Sequence, residues 1–94
     1  MKTNINLKEV DPLSVGAPLR SKVAKDLNGN IYIVKSIKSR IIMKEGQKIL
    51  EVAKKIKREK NSDIYLATTA PICSKTKAFL EENQIKAVFD YTVK

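Results

Sequence analysis

The 94-residue chain contains no histidine and no tryptophan, one cysteine, three glycines and three prolines. Without histidine the usual acid/base group of neutral pH is missing, and so is the commonest metal ligand. Histidine-dependent catalytic triads are excluded for the chain acting alone. A zinc site would need several thiolates, and only Cys73 is present. A single cysteine closes no internal disulfide, which suits a reducing compartment. No apolar run approaches the ~20 residues of a membrane span, and Met1-Lys2-Thr3-Asn4 lacks the apolar core of a secretory signal. A cytoplasmic protein without membrane contact is expected. No internal repeat or low-complexity tract is present.

What is present is globular in composition, with 43% hydrophobic and 31% charged residues. This length makes one domain, burying about two-thirds of the surface of its unfolded chain. Residues 1–18 read as an N-terminal segment with an edge strand at Thr3–Val10 and a loop at Asp11–Pro18. Residues 19–94 read as a single α/β domain. Asn28-Gly29 is a strong two-residue hairpin signal, because both central residues of that turn need φ > 0. It predicts an antiparallel hairpin over 20–27 and 30–38, with Ile31-Tyr32-Ile33-Val34 as the β-branched heart of its second strand. Ile49, Val52, Ala53 and Ile56 recur at helical spacing and predict a helix from Lys44 to Lys60, weakened in its first turn by Gly46. A buried strand follows at Asp63–Thr68. Ser74 is expected to cap a second helix reaching Glu82, with Phe79 and Leu80 inward and Asn83 at the left-handed exit. Lys86–Val93 reads as the last strand, and Tyr65 and Phe89 as packing residues. The expected fold is α/β with a mixed sheet, ordered (β)-β-β-α-β-α-β, ending in a β-α-β unit whose strands run parallel.

Charge is unevenly placed. Between Arg20 and Lys60 stand thirteen basic residues against four acidic ones, while the rest of the chain has six of each. The whole net charge of +9 therefore belongs to the hairpin and the first helix. Concentrated positive charge is what counterion release from phosphates rewards. The expected contacts are Arg20, Lys22, Lys35, Lys38, Arg40, Lys44, Lys48, Lys55 and Arg58. Tyr32 is the only aromatic in this stretch, too few for a platform that stacks single-stranded bases. Contact would be to the DNA or RNA backbone, with weak sequence selectivity. Two other readings stay open: a solvated helix face supported by Glu51–Lys55 pairing, and a surface that docks an acidic protein or a membrane.

From Asp26 onward the chain resembles the restriction-endonuclease-like superfamily, especially its Mrr-type and Holliday-junction-resolvase relatives. The residues that carry this are Asp26-Leu27-Asn28-Gly29-Asn30-Ile31-Tyr32-Ile33-Val34, then Ile64-Tyr65-Leu66-Ala67-Thr68-Thr69, then the Ser74–Ile85 stretch containing Glu82-Asn83-Gln84-Ile85. The resemblance implies a nuclease core that holds Mg²⁺ with an Asp on the first hairpin strand and a Glu or Gln, two residues before a Lys, on the second. This chain departs from that pattern. Its second strand reads Lys35-Ser36-Ile37-Lys38. If Lys38 supplies the lysine, Ser36 replaces the acid; if Lys35 stands at the acid position, the lysine becomes Ile37. Asp26 and Lys38 are weak catalytic candidates. A two-residue turn at Asn28-Gly29 would pair Ser21 with Ser36 and Lys22 with Lys35, and facing lysines repel unless an anion lies between them.

The expectation is thus a non-catalytic nucleic-acid-binding protein with neither metal nor cofactor. The alternatives are a Mg²⁺-dependent endonuclease using Asp26 and Lys38, and a small regulatory protein bound to an acidic partner. A homodimer is plausible, since a small core gains from further burial. The stretch around Ile72-Cys73-Ser74 also resembles the redox turn of glutaredoxins and arsenate-reductase-like proteins, where a helix N-terminus favours a thiolate. Only twenty-one residues follow Cys73, so the rest of that fold has no room, and Cys73 reads as a half-buried structural residue.

Overall fold

The runs Ile31-Tyr32-Ile33-Val34 and Ile64-Tyr65-Leu66-Ala67-Thr68 are too apolar to leave either face in water, and both form interior strands. The computed structural model describes residues 5–18, 21–35, 39–59, 63–89 and 91–93. In it β1 (Ile5–Val10) is followed by a 3₁₀ turn (Pro12–Val15), β2 (Val23–Lys25), β3 (Ile31–Lys35), α1 (Met43–Glu59), β4 (Ile64–Thr68), α2 (Ser74–Glu82), β5 (Lys86–Val88) and β6 (Tyr91–Val93). The six strands lie in the order β5-β4-β3-β2-β1-β6. β2 pairs antiparallel with both β1 and β3; β3–β4, β4–β5 and β1–β6 are parallel. The sheet is mixed, as expected.

The expected last strand is two strands, and they sit at opposite ends of that order. Six strands laid flat would hold the edges about 24 Å apart at ~4.8 Å per step. Three residue steps from Val88 to Tyr91 span about 11 Å at most. The sheet must therefore curl. β1 bends to serve both neighbours, giving Ile5–Leu7 to β6 and Lys8–Val10 to β2. Consequently β1 is a strand as expected but not an edge.

Two cores result. On the helix-covered face Val23, Ile31, Ile33, Ile64 and Leu66 pack against Ile49, Ala53 and Ile56 of α1 and Leu80 of α2. On the other face Leu7, Ala24, Tyr32, Val34 and Ala67 pack with Tyr65, Val88, Tyr91 and Val93. Tyr32 and Tyr65 meet there with ring centroids 4.9 Å apart. Phe89, expected to pack, is instead 45% exposed beyond the end of β5. Gly46 does more than weaken a helix: a Cβ there would stand 2.6 Å from Thr76 Cγ2, so its absence lets α1 and α2 touch.

The hairpin forms with a different turn. Gly29 has φ 84°, while Asn28 is not left-handed, so the two-residue turn that requires both is absent. The chain closes instead from Asp26 N–H to Asn30 C=O, and the Asp26 carboxylate explains why. It accepts hydrogen bonds from the Asn28 and Asn30 amides (2.9 Å each), the Asn30 side chain (3.2 Å) and the Tyr32 hydroxyl (3.0 Å). The longer loop moves the register by one: Val23 faces Ile33 and Ala24 faces Tyr32. A one-residue slip reverses side-chain faces. Lys22 and Lys35 therefore do not oppose each other; it is the Val34 amide that donates to the Lys22 carbonyl (2.8 Å).

The second helix also differs at both ends. Cys73, not Ser74, is its N-cap residue. At the exit Asn83 has φ −97°, and the left-handed residue is Gln84, φ 64°.

Candidate nucleic-acid interface

Lys35 ends β3, where the strand emerges from beneath α1. Its backbone is tied down there: the Thr68 hydroxyl donates to the Lys35 carbonyl (2.9 Å) and accepts from the Ala70 amide (3.0 Å). Thr68 is fully buried, so this end of the β3–β4 pair is rigid. Alternation along β3 puts Lys35 on the same face as Ile31 and Ile33, towards the helices. Its ammonium lies 3.6 Å from the Glu45 carboxylate in the first turn of α1, both side chains about one-third exposed. Such a half-exposed pair contributes about 0–1 kcal/mol.

Around this pair opens a cavity of about 580 Å³ between α1 and the hairpin. Pro18, Ser21 and Lys22 wall one side, Ile33 to Lys35 the floor, and Glu45, Lys48, Ile49, Glu51, Val52 and Lys55 the helix side. Four lysines meet two glutamates, so the net field is positive. Lys44, Lys48, Lys55 and Arg58 are exposed on the outer face of α1, and at 1.5 Å per residue this stripe runs about 21 Å.

Of the nine expected contacts, the structure brings Lys22, Lys35, Lys48 and Lys55 to one cavity and lines up Lys44 and Arg58 beside it. Arg40 is exposed ahead of α1 and lies towards Cys73 rather than the cavity. Arg20 and Lys38 lie outside the described residues, as does Ser36. Ser21 and Glu45 were not legible as site members. Residues 21, 35 and 45 meet only through the hairpin register and the β3–α1 connection, and no sequence spacing marks that meeting.

Asp26 is elsewhere. It sits at the turn beside Asn30, five residues before Lys35, or about 17 Å away at strand rise. Burial pushes its carboxyl pKa up, but the bonds from Asn30, Tyr32 and Asn28 outweigh this and hold it below the usual value. Burial and the neighbouring Asp26 both raise the Tyr32 hydroxyl, so it stays a protonated donor. Among the described residues no three metal-ligating side chains converge anywhere.

No protein-family model matches the sequence, and no curated protein matches it significantly. Solved structures do match the fold. A repair endonuclease from Pyrococcus abyssi superposes with TM-score 0.66 at 16% identity, over 87% of this chain and 37% of that one. The fold is restriction-endonuclease-like. EndoMS in complex with dsDNA gives TM-score 0.68 at 14% identity, over 94% of this chain and 37% of that chain; EndoMS in apo form gives 0.63 at 14%, over 86% and 34%. The chain thus spans just over a third of the length of these endonucleases. No helix among the described residues is long and apolar enough to cross a membrane.

Proposed function

We propose that this restriction-endonuclease-like domain binds duplex DNA by its phosphate backbone, through the cavity between α1 and the hairpin, and does not cleave it. The observation that carries this is the cavity wall: Lys22, Lys35, Lys48 and Lys55 surround the place where β3 meets α1. The likeness to EndoMS, which is seen with dsDNA, favours DNA over RNA. The described residues do not fit the Mg²⁺ that the nuclease alternative requires. Such an ion takes carboxylates and water in near-octahedral geometry, whereas here Ser21 and Lys35 line the cavity and the Glu45 carboxylate is already beside an ammonium. The departure from the nuclease pattern is thus read as a loss of the metal site, with lysine at the acid position. Mrr-type or resolvase-type relatives remain a finer form of the same proposal, as does pairing into a homodimer.

The test is fluorescence anisotropy on labelled duplex DNA with Lys35→Gln against Lys77→Gln, an exposed lysine of α2. Lys35→Gln is expected to weaken binding about fivefold, a loss of ~1 kcal/mol for a charge-assisted phosphate contact. Lys77→Gln should change it far less. Equal losses would mean that only total charge matters. Facing lysines would have predicted a more stable Lys35→Gln variant; with Glu45 as the real neighbour, a loss of at most about 1 kcal/mol is expected. In the same samples, supercoiled plasmid with Mg²⁺ or Mn²⁺ should remain uncut. Robust nicking lost on Lys38→Ala would restore the nuclease alternative.

A further inference from the structure

We infer that the recess where β1 parts from β2 binds a small organic anion with an apolar body, a medium-chain carboxylate being the simplest example. β1 pairs with β2 through Lys8–Val10 and with β6 through Ile5–Leu7, so the two strands separate just beyond the Lys8↔Lys25 pair. The hairpin turn leaves β2 at the same point. Between them opens a cavity of about 540 Å³, within the ~300–1,000 Å³ usual for small-molecule sites.

Two observations fix the chemistry. First, Lys8 and Lys25 both line this cavity and are direct cross-strand partners. Such a like-charge pair destabilises a sheet unless an anion relieves it. Val10 and Val23 pair on the helix-covered side, and alternation puts Lys8 and Lys25 on that same face. No neighbouring carboxylate answers them. Glu9 is paired with Ala24, which belongs to the core of the opposite face. Asp26 borders the cavity, but its carboxylate is engaged by the Asn28 and Asn30 amides and the Tyr32 hydroxyl. Among the described residues the ion pair is Lys35–Glu45, and neither Lys8 nor Lys25 enters one.

Second, the rest of the wall is apolar. Leu7, Val10 and Leu27 line it beside the aliphatic stems of the two lysines. Leu27 is 97% exposed, so its apolar surface is left to water. Inorganic phosphate would satisfy the ammonium groups and leave that surface wet. A neutral oil would cover the surface and leave the charges unanswered. A carboxylate on a short apolar chain meets both. The DNA-binding cavity reaches β2 at Lys22, three residues or about 10 Å before Lys25, so this recess does not depend on that reading.

The test is a titration of the intact chain with millimolar octanoate, followed by amide NMR shifts and thermal melts. Octanoate should move the resonances of residues 6–8 and 25–27 and raise Tm, because a ligand of the native state stabilises it. Octanol, octylammonium and inorganic phosphate should each bind far more weakly. Lys8→Gln and Lys25→Gln should each weaken octanoate about fivefold, as loss of a charge-assisted contact does. Without ligand, either change should raise Tm by about 2–4 °C, since the facing charges are gone. The two opposite effects separate a ligand site from a purely structural lysine pair. Octanoate shifts absent or confined to other residues overturn the assignment, as does octanol or phosphate binding equally well. So does unchanged octanoate affinity in both variants. If Lys8→Gln instead weakens duplex DNA as much as Lys35→Gln does, the pair belongs to the nucleic-acid interface and the inference fails.

Discussion

Affinity for duplex DNA is expected to fall about 500-fold between 50 and 200 mM salt. Each neutralised phosphate contributes a log–log slope of about −0.9, and about five engaged lysines give roughly −4.5. The contacts in view are Lys22, Lys35, Lys44, Lys48 and Lys55, all flanking one cavity or its rim. Replacing Lys48 and Lys55 with Gln together should reduce the slope to about −2.7. Both are exposed on α1, so neither change should unfold the chain. Anisotropy titrations at four salt concentrations read the slope directly. A flat slope would remove the phosphate-contact reading. Undetectable binding to DNA and RNA at low salt would favour the acidic protein partner.

The second large effect concerns Asp26. Asp26→Ala should destabilise the fold by about 3 kcal/mol, since several hydrogen bonds to a carboxylate are lost and the buried Tyr32 hydroxyl is left unpaired. For a domain of this size that lowers Tm by about 12–24 °C. The pH dependence follows from the same bonds. The folded-state pKa of Asp26 is depressed, so its contribution is fully present above the unfolded value near 3.8 and is lost as pH falls through the folded value. Thermal melts from pH 7 to pH 2 should show Asp26→Asn losing less stability on acidification than the parent. The variant also separates structure from catalysis. An Asp26→Ala protein with unchanged Tm and abolished cleavage would make Asp26 a catalytic residue instead of the keystone of the turn.

Much of the fold was legible because it rests on local patterns. Apolar spacing at Ile49, Ala53 and Ile56 placed α1 within one residue at each end. The Ile31–Val34 and Ile64–Thr68 runs marked the buried strands. Other features depended on side-chain competition at a few positions. Asn28-Gly29 favours the two-residue turn in isolation, but Asp26 offers its carboxylate to the Asn28 and Asn30 amides and selects the longer loop. At the end of α2, Asn83 gives its side-chain amide to the Phe79 carbonyl (2.8 Å), and Gln84 takes the left-handed position. The split of Lys86–Val93 into β5 and β6 follows from sheet curl, which no single segment encodes.

The sequence by itself determined which stretch is basic, which runs must be buried, and that neither histidine nor a cysteine cluster does chemistry here. Those properties belong to residue identity and short-range periodicity, which survive in any fold the chain adopts. Only the tertiary structure decided which charges meet. Side chains alternate along a strand, so the one-residue register change removed the Lys22–Lys35 confrontation and joined the Val34 amide to the Lys22 carbonyl. The path from β3 into α1 then brought Glu45 to Lys35. Pairings between distant residues depend on register and on loop geometry, and a change of one residue in either exchanges a buried partner for an exposed one.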